Sequence, residues 1–458
     1  MTSAPLKLDT GLDSNKGFDP HDPPAQAGID ACVHCGFCLT TCPSYRVIGK
    51  ETDSPRGRIY LMDAINQGEA PLSPTSVSHF DSCLGCLACT TACPSGVPYD
   101  QLISAVRAQV QRNHPRSWPE RALRQLIFSL FPYPDRIRLL LTPLALYQRL
   151  GFSQLLQKTG LLARLSPNLA AMEKLLPTVT PSCFQDNLAE LLPAQGAQRF
   201  RVGMILGCVQ RVFFSGVNEA TARVLTANGC EVVIPKSQGC CSALPQHQGE
   251  TAQAQALARQ MIDSFAGANV DYIIINAAGC GHTLKEYDQI LHDDEAYRER
   301  ARAFSDKVRD VQEFLAEVGL TAPLHPLQEE PLTLVYQDAC HLLHGQKISS
   351  PPRQLLRQIP GVTLAEPMDA ALCCGSAGVY NMLQPSVAEE LGQMKATNLT
   401  KTGADLIVSP NPGCALQIQQ HLRLQGCNLA ILHPMQLLDQ SIGGKEGSNS
   451  TLSNFGAV

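Results

Sequence analysis

CVHCGFCLTTCP, running from Cys32 to Pro43, returns 51 residues later as CLGCLACTTACP, from Cys83 to Pro94. Both strings space four cysteines as Cys-x2-Cys-x2-Cys-x3-Cys-Pro, a pattern in which thiolates hold [4Fe-4S] cubes. Eight thiolates suffice for two cubes. Zinc knuckles present their ligands in twos rather than in two runs of four closed by Cys-Pro. The expected chemistry of this region is therefore electron transfer.

The spacing is that of bacterial ferredoxins, whose fourth cysteine reaches the neighbouring cluster. On that pattern Cys32, Cys35 and Cys38 with Cys93 hold one cluster, and Cys83, Cys86 and Cys89 with Cys42 hold the other. Between the strings, Ser54 is placed to cap a helix, Pro55 suits its first turn, and apolar residues follow at helical spacing. A helical connection of this length exceeds what small, strand-rich ferredoxins use. Residues 25–110 thus resemble the α-helical ferredoxin domain of succinate dehydrogenase iron-sulfur subunits.

The chain has 458 residues, 44% of them hydrophobic, enough for two or three domains. A net charge of -5 without a basic block excludes nucleic acid as the main partner. Residues 1–24 are polar and rich in Pro and Gly, without the apolar core of a secretory signal, and read as a flexible leader. Nineteen cysteines in an unexported chain belong in a reducing compartment, so a cytoplasmic location is expected.

Residues 111–199 carry leucine-rich stripes such as RALRQLIFSLF and IRLLLTPLALYQRL, broken by prolines and by Arg136, Arg138 and Arg149. The segment reads as a helical linker too interrupted to span a membrane. Two roles stay open for it: a docking surface for a partner subunit or the membrane face, and packing on the chain's own domains.

The C-terminal half is a duplication. Cys208 to Cys340 is 132 residues, Cys240 to Cys373 is 133, and Cys280 to Cys414 is 134. Each copy, at about 200–325 and 326–442, has a cysteine, then a Cys-Cys pair, then a final cysteine, and a flexible tail follows at 443–458. Apolar runs lead toward Cys208, Cys280, Cys340 and Cys414, with helical segments between them. Such alternation predicts parallel α/β layers, in which ligands gather beyond the carboxyl ends of the strands. The fold class is α plus α/β. Two metal-ligating sets are expected: Cys208, Cys240, Cys241 and Cys280, and Cys340, Cys373, Cys374 and Cys414.

This arrangement resembles the duplicated cysteine-rich CCG domain of heterodisulfide reductase subunits and of the iron-sulfur subunits of glycolate oxidase and anaerobic glycerol-3-phosphate dehydrogenase. The second copy reads CCGSAGVYN; the first reads CCSALPQHQG, with Ser242 where the glycine stands. The first copy is therefore expected to hold its cluster differently, bind zinc, or only shape the site. The additional cysteine of heterodisulfide reductases is absent after Cys280 and Cys414, which counts against disulfide chemistry. His282, His341 and His344 are auxiliary ligand candidates that read more simply as satisfied loop histidines. Cys183, Cys230 and Cys427 lie outside every motif and read as buried structural thiols.

No dinucleotide fingerprint is present, GSAG at Gly375 to Gly378 being too short, so no flavin is expected on this chain. In its order of leader, twin cysteine strings, helical linker and duplicated CCG domain, the sequence resembles glycolate oxidase (glycolate dehydrogenase) iron-sulfur subunits. The resemblance implies an oxidoreductase subunit that relays electrons from flavoprotein partners, which oxidise glycolate to glyoxylate, toward quinone. It leaves room for peripheral association with the inner face of the cytoplasmic membrane. The alternatives are the equivalent subunit of a lactate or glycerol-3-phosphate dehydrogenase and a thiol-disulfide enzyme.

Overall fold

A computed structural model describes residues 17–444 except positions 153–155, 157, 158, 161, 163, 165 and 186. Most of the expected leader and nearly all of the expected tail lie outside the described residues. The N-terminal region is built from helices. Ser54 accepts a hydrogen bond from the Gly57 amide at 3.0 Å and starts helix Pro55–Asn66, as its sequence predicts. This helix, with Pro74–Asp81 and Tyr99–Asn113, buries Ile59, Met62, Ile65, Phe80, Leu102 and Val106 against Cys83 and Cys89. The apolar core therefore doubles as the wall of the cysteine sites.

Helices Trp118–Leu130 and Pro134–Arg149 follow. They bury Ile127, Phe128, Ile137 and Leu141, while Trp118, Leu126, Leu139 and Leu146 stay exposed. Of the two roles its sequence left open, the linker fills the second, one stripe packing on this chain, while another stripe faces outward. No described helix is long and apolar enough to cross a membrane.

The duplication appears as two sheets. Strand β1 (Leu191–Leu192) pairs antiparallel with β3 (Cys230–Val233), which lies parallel to β2 (Phe200–Ile205), followed by β4 (Tyr272–Ile275) and β5 (Val308–Asp310). The second sheet, all parallel, has β6 (Leu332–Tyr336) between β7 (Val362–Ala365) and β8 (Leu406–Val408), with β9 (Ala430–Leu432) at the edge. Apart from the added edge strand β1, the orders β3-β2-β4-β5 and β7-β6-β8-β9 are the same. The two lobes meet through paired helices, Ser215–Ala227 on Pro434–Gly443 and Val311–Val318 on Ser350–Arg357. One continuous core, including Met204, Ile274, Phe314, Tyr336, Val408 and Leu437, runs through both.

A buried acid sits in this interface. Asp310 is fully buried, caps helix Val311–Val318 by accepting from the Gln312 amide at 2.8 Å, and is pushed up by burial to about 6. The folded chain thus holds this proton more tightly than the unfolded chain does, so its stability falls as pH rises from about 4 to about 6. Asparagine also caps helices but carries no charge. Asp310→Asn is expected to gain stability over the wild type as pH rises from about 4 to about 6, by on the order of 1–3 kcal/mol. Urea denaturation of both proteins across that range checks it.

Candidate functional site

In each lobe the first parallel strand, β2 or β6, lies at the sheet's switch point, with its neighbours reached by connections running in opposite directions, so the loops beyond it open a crevice. The cysteines occupy that crevice. Cys208 lies three residues past the β2 end and precedes helix Val209–Phe213, Cys280 lies in the first turn of helix Ala278–Lys285, and Cys240 and Cys241 sit in the loop after β3. Their counterparts repeat the placement: Cys340 precedes a π-turn at His341–Gly345, Cys414 opens helix Pro412–Leu424, and Cys373 and Cys374 lie in the loop after β7.

None of the nineteen cysteines forms a disulfide. In the first lobe the Cys208 and Cys240 sulfurs are 3.6 Å apart, and Cys240, Cys241, Cys208 and Cys280 share one packed cluster. In the second, Cys340 and Cys373 are 4.0 Å apart and Cys374 and Cys414 are 3.1 Å apart. Both sets of four that the sequence singled out are therefore brought together. The sulfurs approach in pairs, and among the described residues no group of three or more such donors closes on a single ion. Soft thiols in apolar walls fit a thiophilic cluster.

At the Cys-Cys pairs the two copies share one backbone turn. Ser242 has φ +66° and Gly375 has φ +86°, so the departure in the first copy keeps the left-handed conformation. Glycine is needed in the second copy for a different reason. A Cβ on Gly375 would stand 2.6 Å from the Ala388 carbonyl oxygen, on helix Pro385–Thr400.

In the helical region, Cys32, Cys35, Cys38 and Cys93 line one cavity, which Cys89 also borders. Cys42 lies close enough to Cys86 and Cys89 to raise the energy of their thiolates. Cys93 thus shares a cavity with the first string and Cys42 lies near the second, while Cys89 stands near both. Burial pushes Cys86 and Cys89 well up, so these thiols ionise only when a metal takes the proton's place. Cys83 differs. Burial pushes it up too, but the Arg58 and Arg107 guanidiniums, together with hydrogen bonds donated by the Gly85 amide and the Tyr99 hydroxyl, hold it below its ordinary value.

Arg58 is fully buried and donates to the His79 carbonyl at 2.6 Å, the Ser82 hydroxyl at 2.7 Å and the Ser44 hydroxyl at 3.0 Å, while Asp53 lies 3.8 Å away. The second lobe also has a buried cation. Lys395 is 1% exposed, donates to the Ala370 carbonyl at 2.6 Å, and faces Cys374, Cys414 and Cys373. Neither cation emerged from the sequence. Arg58 follows the helix cap in SPRGR, and Lys395 breaks an otherwise apolar face of its helix in LGQMKATNL, which is the signal each one left.

The two regions are one site. Cys86 packs in a single apolar cluster with Leu84, Leu372, Cys373 and Tyr380, against which Cys340 also lies. The Tyr380 hydroxyl donates to the Ser82 carbonyl at 2.9 Å, and His341 Nε2 lies 2.9 Å from the Gly85 carbonyl oxygen. His344 Nδ1 is 2.9 Å from the Thr91 hydroxyl. These histidines belong to helical turns rather than loops, and two of them tie the cysteine-string region to the second lobe. His282 instead stacks near His247 and His341 between the lobes. Cys183 and Cys230 are buried in apolar clusters away from the thiol sets, whereas Cys427 is only partly buried and packs against the cluster that holds Cys374 and Cys414.

Three family descriptions match in chain order: "4Fe-4S dicluster domain" over residues 28–97, "Glycolate oxidase iron-sulfur subunit, linker region" over 119–176, and "Cysteine-rich domain" over 202–285 and again over 334–419. The chain is 39% identical to the probable glycolate oxidase iron-sulfur subunit of Bacillus subtilis over 421 residues, which are 90% of this chain and 94% of that protein. It is 34% identical to the glycolate oxidase iron-sulfur subunit of Escherichia coli, over 91% of this chain and 95% of the other. The chain belongs to the glycolate oxidase iron-sulfur subunit family. It is also 27% identical to lactate utilization protein A of Shouchella clausii, over 52% of this chain and 98% of that protein. Members of this family are electron-relay subunits, and the cysteine-rich regions match domains that carry iron-sulfur clusters.

Proposed function

We propose that this chain passes electrons from a flavoprotein partner that oxidises glycolate to glyoxylate, through clusters on its own thiols, toward quinone. The observation that carries the reading is the shared apolar packing of Cys86 with Cys373 and Cys340, which joins the ferredoxin-like thiols to the second cysteine-rich lobe. A flavin accepts electrons in pairs, whereas iron-sulfur clusters take and release them singly. On this reading Cys32, Cys35, Cys38 and Cys93 hold the outer cluster, and Cys83, Cys86, Cys89 and Cys42 the inner one. Cys340, Cys373, Cys374 and Cys414 hold the next centre, and Cys208, Cys240, Cys241 and Cys280 form the corresponding set in the first lobe. The functional units are residues 25–110, 111–199, 200–325 and 326–442.

Electrons enter at the outer cluster. Cys35 is exposed there, and Val33 and Phe37 are 67% and 65% exposed beside it. The protein's part is to hold each thiol set in apolar walls, keep water from the inner cluster, and offset thiolate charge with Arg58 and Lys395. Peripheral attachment to the inner face of the cytoplasmic membrane is supported by the outward leucines of the linker. A lactate-oxidising partner is the second reading, favoured by the likeness to lactate utilization protein A.

Anaerobic co-purification on a tagged copy of this chain, followed by reduction of an artificial acceptor, tests the reading. A flavin-bearing partner and preference for glycolate over D-lactate and glycerol 3-phosphate are expected. Preference for D-lactate would transfer the assignment to the second reading, and the absence of any flavoprotein would overturn both.

A further inference from the structure

A second built site lies away from the cysteines, in a cleft of about 530 Å³ between the end of helix Tyr99–Asn113, the linker helices and the first lobe. Four guanidiniums, those of Arg116, Arg121, Arg124 and Arg136, line it together with His114 and Glu250. Arg124 is 6% exposed and makes one hydrogen bond, from Nη2 to Gln248 Oε1 at 3.3 Å. Its Nε stands 3.6 Å from Glu120 Oε1, too far for a hydrogen bond, and neither Nε nor Nη1 has a protein acceptor. Arg116 pairs with Asp81 at 2.8 and 3.0 Å and with Glu120, yet its buried Nε also lacks a protein acceptor.

Buried guanidinium donors without acceptors are costly, and native proteins seldom leave them so. The local charge points the same way. Four guanidiniums face the carboxyls of Asp81, Glu120 and Glu250, of which burial pushes Glu250 up toward its neutral form. Burial holds Arg124 and His114 down, and the adjacent Arg116 adds to it against the opposite pull of Asp81 and Glu120. A carboxylate is satisfied by one planar fork, whereas donors converging from three elements suit an anion with oxygens in several directions.

We propose that this arginine cleft binds a phosphate group. Two sources present that chemistry: a free phosphate compound, and the headgroup of an anionic phospholipid. Trp118, 74% exposed, lies on the same helical face as Arg121 and Gln125 at the cleft, where its ring is placed to meet a membrane interface.

The full-length, cluster-loaded protein tests this in two arms, run on the wild type, Arg124→Gln and Arg121→Gln. In the first, inorganic phosphate is titrated against chloride at fixed ionic strength, with heat and melting temperature as readouts. In the second, the protein is sedimented with phosphatidylglycerol or phosphatidylcholine vesicles. Arg121 is exposed, so its replacement tests the site even if the Arg124 variant folds poorly. Saturable phosphate binding, weakened about tenfold or more when a charge-assisted donor is removed, supports a site for free phosphate. Selective binding to phosphatidylglycerol that the same variants weaken and free phosphate displaces supports the lipid headgroup. No saturable binding in either arm, or binding unchanged by both variants, overturns the proposal.

Discussion

Cys86→Ala is expected to stop electron transfer through this chain altogether. On the proposed ligand assignment its sulfur belongs to the inner thiol set, and it packs against the second cysteine-rich lobe, so no parallel route bypasses it on this account. The purified variant should lose the iron of one cluster, and its partner should still bind and oxidise substrate in a single turnover. Steady-state turnover with a quinone analogue should fall to background. Cys35→Ala provides the contrast: it removes an exposed ligand of the outer set and should leave the inner cluster in place. Iron content and low-temperature spectra of the reduced proteins separate the two. Turnover retained by Cys86→Ala with one cluster missing would remove the inner cluster from the path.

The largest expected effect on stability comes from Arg58→Met. The methionine fills the space but withdraws three hydrogen bonds and leaves Asp53 buried beside His79 at 3.0 Å and Ser82 at 2.6 Å without its guanidinium. Removing one member of a buried ionic network destabilises by about 3–5 kcal/mol. A denaturant titration should show a loss of that order. Arg58→Lys keeps the charge without the planar fork and is expected to fall between the two proteins. If only charge mattered, the lysine variant would match the wild type.

Much of this was legible in the sequence because metal ligation imposes spacing. The two cysteine strings, the Ser54 cap and the three near-equal offsets between the copies are local or periodic signals, and each has its counterpart in the structure. The convergence of Cys208 with Cys280, and of Cys340 with Cys414, followed from strand ends in a parallel sheet, which is a rule of topology. What the sequence withheld depends on tertiary contact. Nothing near Cys86 announces Cys340, which is 254 positions further on. Nor does the arginine content of the linker reveal which guanidinium is buried and short of acceptors. The Ser242 substitution suggested a different site in the first copy. The backbone there keeps the same left-handed turn, because what makes Gly375 necessary is a neighbouring helix carbonyl, a contact no local motif encodes.

The most direct test of the relay is to add glycolate anaerobically to the purified complex and follow the electron paramagnetic resonance of the clusters on this chain. The account predicts that cluster signals appear at the rate of turnover, with one set missing in Cys86→Ala. Reduced flavin and a reduced acceptor, with the clusters of this chain still oxidised throughout, would contradict it.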